Sequence, residues 1–273
     1  MAAVQLFKAH NHTLEPLDVT AATLDEATIK TGHGVYAVFR TYEGRRVLRL
    51  ADQLERIRTS AALLGMPYRL SDDDLREAVR RALDASGPGL WRVRVTVPYA
   101  EPDSAIIALE PFAPPGPEIM EHGVRVGLSN VRRQNARAKD SRFIELRRQL
   151  QADQGMYEVL LTGEDGCILE GTTSNFYAVR DGKLYTAANG VLHGIARRIL
   201  LEIAPAILPV VYEPVCVADC SQLSEALISS ASRGPLPVVE IGGVTIGTGR
   251  PGPIFAALRA AYDARVEQEL EPL

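Results

Sequence analysis

Apolar and β-branched residues run through Gly34–Tyr42, a strand pattern, and Glu43-Gly44 turns that strand into another over 46–50. The spacing then changes to a helical one. Asp52, with Glu55 three residues on, reads as an N-cap for a stripe of Leu54, Ile57, Ala61 and Leu64 that stops before Gly65. Ser71 and Asp74 repeat the start signal for a second helix with Leu75, Val79 and Leu83 on its inner face. Period two returns over 91–97, with Arg92 and Arg94 on one side and Val93, Val95 and Val97 on the other. A further strand covers 104–109.

Four prolines within 111–117 interrupt the pattern, and proline neither donates a backbone bond nor leaves φ free, so this stretch is expected to be an extended connector. The expected division is an N-terminal α/β domain over 1–112, a linker over 113–120 and a C-terminal domain over 121–273. The second part begins with a strand at 124–128, continues through a polar, basic stretch at 130–140 and enters a helix over 142–153. Strands at Glu158–Thr162 and 167–180 flank the turn Glu164-Asp165-Gly166. A helix starts after Gly194, a hairpin forms at Gly242-Gly243, and a last helix spans 253–270. Strands and helices mix without strict βαβ alternation, which favours an α+β fold.

Composition narrows the function. Apolar residues make up 46% and charged residues 23%, ordinary for a globular enzyme. A net charge of −4 argues against nucleic acid or an anionic membrane as partner, so any bound phosphate must be gripped by a few local donors. Cys167, Cys216 and Cys220 lack metal spacing and form no disulfide framework, so they are expected to be structural thiols, and no metal is expected. Residues 1–17 contain no apolar block and no run approaches the ~18 apolar residues of a membrane span, which leads to a cytoplasmic expectation.

Lys139, just before a helix, is by itself ordinary as a solvated charge. Glu170 ends an apolar strand and is followed by Gly171, Thr172, Thr173, Ser174 and Asn175, small polar residues suited to a pocket or simply to a turn. Their order alongside other segments is more telling. The stretch 32–44 with its Gly-His-Gly, then 50–65, Lys139, 155–161, Glu170–Asn175, His193–Arg197 and 229–243 together resemble the class IV (fold type IV) aminotransferases, in order and over nearly the whole chain. That group includes branched-chain aminotransferases, D-amino-acid transaminases and aminodeoxychorismate lyases.

The resemblance implies a two-domain α+β fold of the D-amino-acid aminotransferase type, with pyridoxal 5'-phosphate between the domains, and a homodimer. It implies that Lys139 forms the aldimine with the cofactor and then moves a proton between substrate Cα and cofactor C4′. Glu170 matches the carboxylate that keeps the pyridine nitrogen protonated. Arg56 matches the phosphate arginine, and the backbone N–H groups of Ile195 and Ala196 open a helix suited to the same phosphate. Ser232, with Ser230 beside it, stands where the family places hydroxyls, and Thr173 and Asn175 match pocket wall. Tyr36 matches a pocket aromatic. Arg92 corresponds to an arginine that recognises carboxylate in branched-chain enzymes, and Arg94 should share its face; the two mark either a pocket or a solvated face. The chain departs from the pattern at Ala37, Gln53 and Ile144, which puts a standard branched-chain specificity in doubt, and at Ala196, where a threonine hydroxyl contact to the phosphate is lost. The expected reaction moves an amino group between an amino acid, of branched-chain or D-amino-acid type, and a 2-oxo acid. The alternatives are a lyase releasing pyruvate and 4-aminobenzoate from aminodeoxychorismate, and a non-catalytic cofactor-binding protein.

Overall fold

In the computed structural model, which describes residues 4–273, the chain forms two units that are not consecutive stretches. One takes the chain up to Ala113 together with Arg137–Ile144 and Glu269–Leu273; the other takes Pro114–Ala136 and Glu145–Gln268. Lys139 therefore belongs to the first unit and Glu170 to the second.

The first unit is an antiparallel sheet of β1 (Gln5–His10), β2 (Thr13–Pro16), β3 (Gly34–Tyr42), β4 (Arg46–Leu48), β5 (Trp91–Pro98), β6 (Ser104–Pro111) and the C-terminal strand Leu270–Pro272. Its order is C-terminal strand, β4, β3, β5, β6, β1, β2. Alternation decides the two faces. Val35, Ala37 and Phe39 of β3 and the three valines of β5 share a core with Leu54, Ile57, Leu75 and Val79, which come from α2 (Leu50–Leu63) and α3 (Asp72–Ser86). On the other face Leu6, Ile106, Ala108 and Val38 pack with Leu24 and Ala27 of α1 (Leu24–Thr31). Gly34 begins β3 because a Cβ there would lie 2.0 Å from the Val97 carbonyl oxygen.

Ser71 caps α3 as expected, its hydroxyl accepting from Asp74 N at 3.0 Å. Asp52 does not cap α2. The helix starts three residues earlier, after Arg49 in the left-handed region at φ 46°, and no side chain of the cap residue serves it. Instead Glu271, from the far end of the chain, accepts the Leu50 N–H at 2.6 Å, and Arg49 is held by Glu269 at 2.6 Å. Local spacing carries no trace of a cap lent from that distance. The elements β1, β2 and α1 had no counterpart in the sequence expectation.

The second unit contains β7 (Val124–Ser129), β8 (Glu158–Thr162), β9 (Ile168–Gly171), β10 (Asn175–Arg180), β11 (Lys183–Tyr185), β12 (Val210–Val211), β13 (Glu225–Ser230), β14 (Gly234–Ile241) and β15 (Val244–Thr245). They run in the order β12, β11, β10, β13, β14, β7, β8, β9, and Asn175 of β10 also pairs with Glu170 of β9, which closes six of them into a ring. Its helices are α4 (Pro117–His122), α5 (Ile144–Gln154), α6 (Ile195–Ile203) and α7 (Pro253–Glu269). The expected connector thus ends early: Pro117 is accommodated in the first turn of α4, where a missing N–H costs nothing. The expected strand 167–180 is broken at 172–174, and that break matters for the site.

The cysteines differ from expectation. Cys167 and Cys216, 49 residues apart, are joined in a disulfide, while Cys220 is a buried free thiol whose pKa burial pushes up. The pairing follows from register. Ile168 N donates to Val215 O at 2.8 Å and Val217 N to Gly166 O at 3.0 Å, so the two cysteines face each other. Sequence separation alone does not reveal it.

Candidate active site

In the first unit Lys139 is held by its backbone. Its N–H donates to Ser60 Oγ at 3.0 Å, its carbonyl accepts from Tyr36 N at 3.1 Å, and the next residue, Asp140, bridges to Val35. Ser60 in turn donates to Arg56 O at 2.7 Å, one helical turn back. The lysine Nζ lies 5.2 Å from the centre of the Tyr36 ring. Tyr36, Arg56 and Lys139 are therefore drawn together within one unit. Ser60 was missed by sequence reasoning, although its position four residues after Arg56 places both on one helix face.

Arg92 and Arg94 do share the face of β3 that carries Tyr36, since β5 pairs Arg94 with Val38 and Arg92 with Arg40. The solvated-face alternative does not describe Arg94. Its side chain is 1% exposed and is bound by α1: it donates to Leu24 O at 2.7 Å, Thr28 Oγ1 at 2.8 Å and Asp25 at 2.7 Å. Its guanidinium also stands 4.9 Å from the Tyr36 ring. Arg92 pairs with Glu110 at 3.4 Å. With α1 absent from the expectation, this tie had nothing to be read from.

In the second unit Glu170 ends β9 and is buried. Its Oε2 accepts from Leu192 N at 3.0 Å and from Asn175 Nδ2 at 3.4 Å, and the same Asn175 amide donates to Leu192 O at 2.7 Å. The chain then turns, Gly194 N donating to Leu192 O at 2.9 Å, and α6 begins with no side chain capping its first turn. A Cβ on Gly194 would come within 2.3 Å of Asn175 Oδ1, so only glycine lets the helix start this close. Arg133 lies 3.5 Å from Glu170 and donates to Thr172 O at 2.5 Å. Ser232 is buried in the link between β13 and β14, and Ser230 accepts from Arg233 at 3.0 Å.

Glu158 and Arg233 also went unnoticed in the sequence. Glu158 is fully buried and collects the broken segment of the strand: Thr172 Oγ1 at 2.5 Å, Thr173 N at 3.1 Å, the Thr173 hydroxyl and Ser174 Oγ at 3.0 Å, with its own neighbour Val159 N at 3.0 Å. Burial raises its pKa, but the charge of Arg233 and the hydroxyl donors outweigh that and hold it below the usual carboxylate value. Because the folded pKa is the depressed one, the stabilisation is complete above the unfolded value of about 4.3 and disappears as pH falls through the folded value. Glu158→Gln is expected to cost about 3 kcal/mol at pH 7. Thermal melts should show the gap from wild type narrowing below about pH 4; a gap that persists unchanged at low pH rules out this account.

Comparison with known proteins identifies a class of enzyme that moves amino groups. The model of the class IV amino-transferase family matches residues 34–241, and the chain belongs to that family. A probable branched-chain-amino-acid aminotransferase of Thermotoga maritima is 30% identical over 239 residues, covering 84% of this chain and 85% of its own. A D-alanine aminotransferase of Staphylococcus aureus (strain N315) is 26% identical over 254 residues, covering 86% and 89%. In fold, the T.th. branched-chain amino acid aminotransferase solved with pyridoxamine 5'-phosphate superposes with a TM-score of 0.83 at 21% identity, covering 100% of this chain and 99% of its own. No helix among the described residues is long and apolar enough to cross a membrane.

Proposed function

We propose that the chain exchanges an amino group between an amino acid of branched-chain or D-amino-acid type and a 2-oxo acid, with pyridoxal 5'-phosphate held at Lys139. The observation that carries this reading is the continuity of the second-unit cluster. A buried carboxylate, Glu170, is hydrogen-bonded to Leu192, and two residues beyond stands the uncapped, positive end of α6. A carboxylate fits a protonated ring nitrogen, and a free helix start fits a phosphate, so this donor and acceptor set suits the cofactor.

When bound, the cofactor supplies an electron sink for charge developing at the substrate Cα. The protein does the rest. Lys139 Nζ would hold the cofactor aldehyde and, as a free amine, would hold or move the proton at substrate Cα. Ser60 and Tyr36 fix its backbone from two sides. Glu170, with Arg133 beside it, keeps a negative charge available to the ring nitrogen. In the second unit the N–H groups of Ile195 and Ala196 and the Ser232 hydroxyl would hold the phosphate.

Absorbance of the purified protein, before and after separate additions of L-leucine, L-glutamate, D-alanine and an (R)-amine, tests the reading. A band of lysine-bound cofactor that one donor bleaches is the expected result and names the donor class. A band that no donor bleaches, with pyruvate released from aminodeoxychorismate, would replace the transaminase by a lyase. The resemblance also implies a homodimer, for which sedimentation should give twice the chain mass.

A further inference from the structure

Arg233 is the third residue of the short link between β13 and β14, directly after Ser232. Its guanidinium is pinned on one side: Nε donates to Ser230 Oγ at 3.0 Å, Nη2 to Thr173 Oγ1 at 2.7 Å, and the Tyr157 ring centre lies 5.4 Å from it. Nη1 donates to no group among the described residues, and the side chain keeps 21% of its surface exposed. Glu158 is the acid nearest to it, at 3.8 Å, beyond hydrogen-bond reach. Both oxygens of that carboxylate are already engaged by closer donors from Thr172, Thr173, Ser174 and Val159. The arginine is thus fixed in orientation while one edge of its fork is still open.

We propose that Arg233 is a specificity-determining residue that binds a carboxylate of the substrate. The inference rests on the function proposed above and deepens it. Both partners of an amino-group exchange carry a carboxylate, and a planar fork with a free edge recognises that group better than any other side chain does. Arg233 also stands beside the residues assigned to the cofactor, joined to Ser232 by a peptide bond and to Thr173 by a hydrogen bond. Arg94, the arginine on the sheet of the first unit with the deepest burial, is bound by α1 instead. The cofactor phosphate is the other anion this guanidinium suits. We assign the carboxylate because the α6 N-terminus and Ser232, in the same unit, are the groups proposed above for the phosphate.

The test compares an amino donor with its primary amide, which keeps the amine and the side chain and loses only the charge. The donor is the one that bleaches the cofactor band, and the rate of bleaching is followed against concentration in the wild type, Arg233→Lys and Arg233→Met, each loaded with pyridoxal phosphate. The wild type is expected to prefer the acid over the amide, and Arg233→Met to lose about 10- to 100-fold of that preference through apparent affinity, with the saturating rate within a few-fold. Arg233→Lys should recover part of it, because the charge returns without the fork. An unchanged acid-to-amide ratio in Arg233→Met overturns the proposal, and so does an equal loss for acid and amide. A weakened affinity for pyridoxal phosphate with the ratio intact also overturns it, by assigning Arg233 to the phosphate. None of these touches the proposed function, which falls if the wild type itself forms no cofactor band.

Discussion

Lys139→Ala is expected to leave a folded protein whose turnover is at least about 10⁴-fold slower. The size follows from two roles resting on one nitrogen, holding the cofactor and moving the proton, since the chain has no other lysine between Lys30 and Lys183. The folding part follows from geometry. The bonds that place this segment use the main chain of residue 139, through Ser60 Oγ and Tyr36 N, and alanine keeps both. The melting temperature should therefore move far less than the rate. Loss of the lysine-bound absorbance band, with retained cooperativity in a thermal melt, is the measurement. A variant that still forms the band would assign the cofactor to another lysine.

The second large effect is expected at Glu170. Glutamine keeps an oxygen for the Leu192 N–H and loses only the charge, so Glu170→Gln separates electrostatics from bracing. Turnover should fall about 10²- to 10³-fold, the range found where a group that stabilises developing charge is removed. Affinity for the cofactor should change little by comparison, because the α6 start, the phosphate site proposed above, remains. Should Glu170→Gln turn over at the wild-type rate while Glu170→Ala melts early, the carboxylate would be a brace for residues 192–195 and nothing more.

Where apolar periodicity or a local turn or cap signal governs a segment, it was legible in the sequence: β3, β5, the body of α2, the start of α3, the Gly242-Gly243 hairpin of β14 and β15, and α7 behave this way. The places it failed share a cause. The α2 start depends on Glu271, the Cys167–Cys216 pair on the register between β9 and residues 215–217, and the burial of Arg94 on α1. Each is a long-range partner with no local signature. The candidate site divides in the same way. Lys139, Glu170 and Arg56 stand out through motif order, and the structure draws Lys139 toward Arg56 and Glu170 toward Asn175. Ser60, Glu158, Arg133 and Arg233 carry no residue-type signal of their own. Glu158, Arg133 and Arg233 are visible only once the break at 172–174 and the link at 231–233 lie beside them, and Ser60 only once its hydroxyl meets the Lys139 N–H.

The strand order of the first unit has a consequence for how this protein stays dispersed. An open sheet exposes a row of unused N–H and C=O groups on each outermost strand, a template for another chain to extend. Here the two outermost strands are β2 and the C-terminal strand, and each finishes on the same tripeptide, Leu14-Glu15-Pro16 at one side and Leu270-Glu271-Pro272 at the other. Both are short, both carry an acid, and both end on a residue with no N–H to offer. Two distant parts of the chain thus converge on one solution to the same hazard: each margin of the sheet is a short strand that carries an acid and closes on proline.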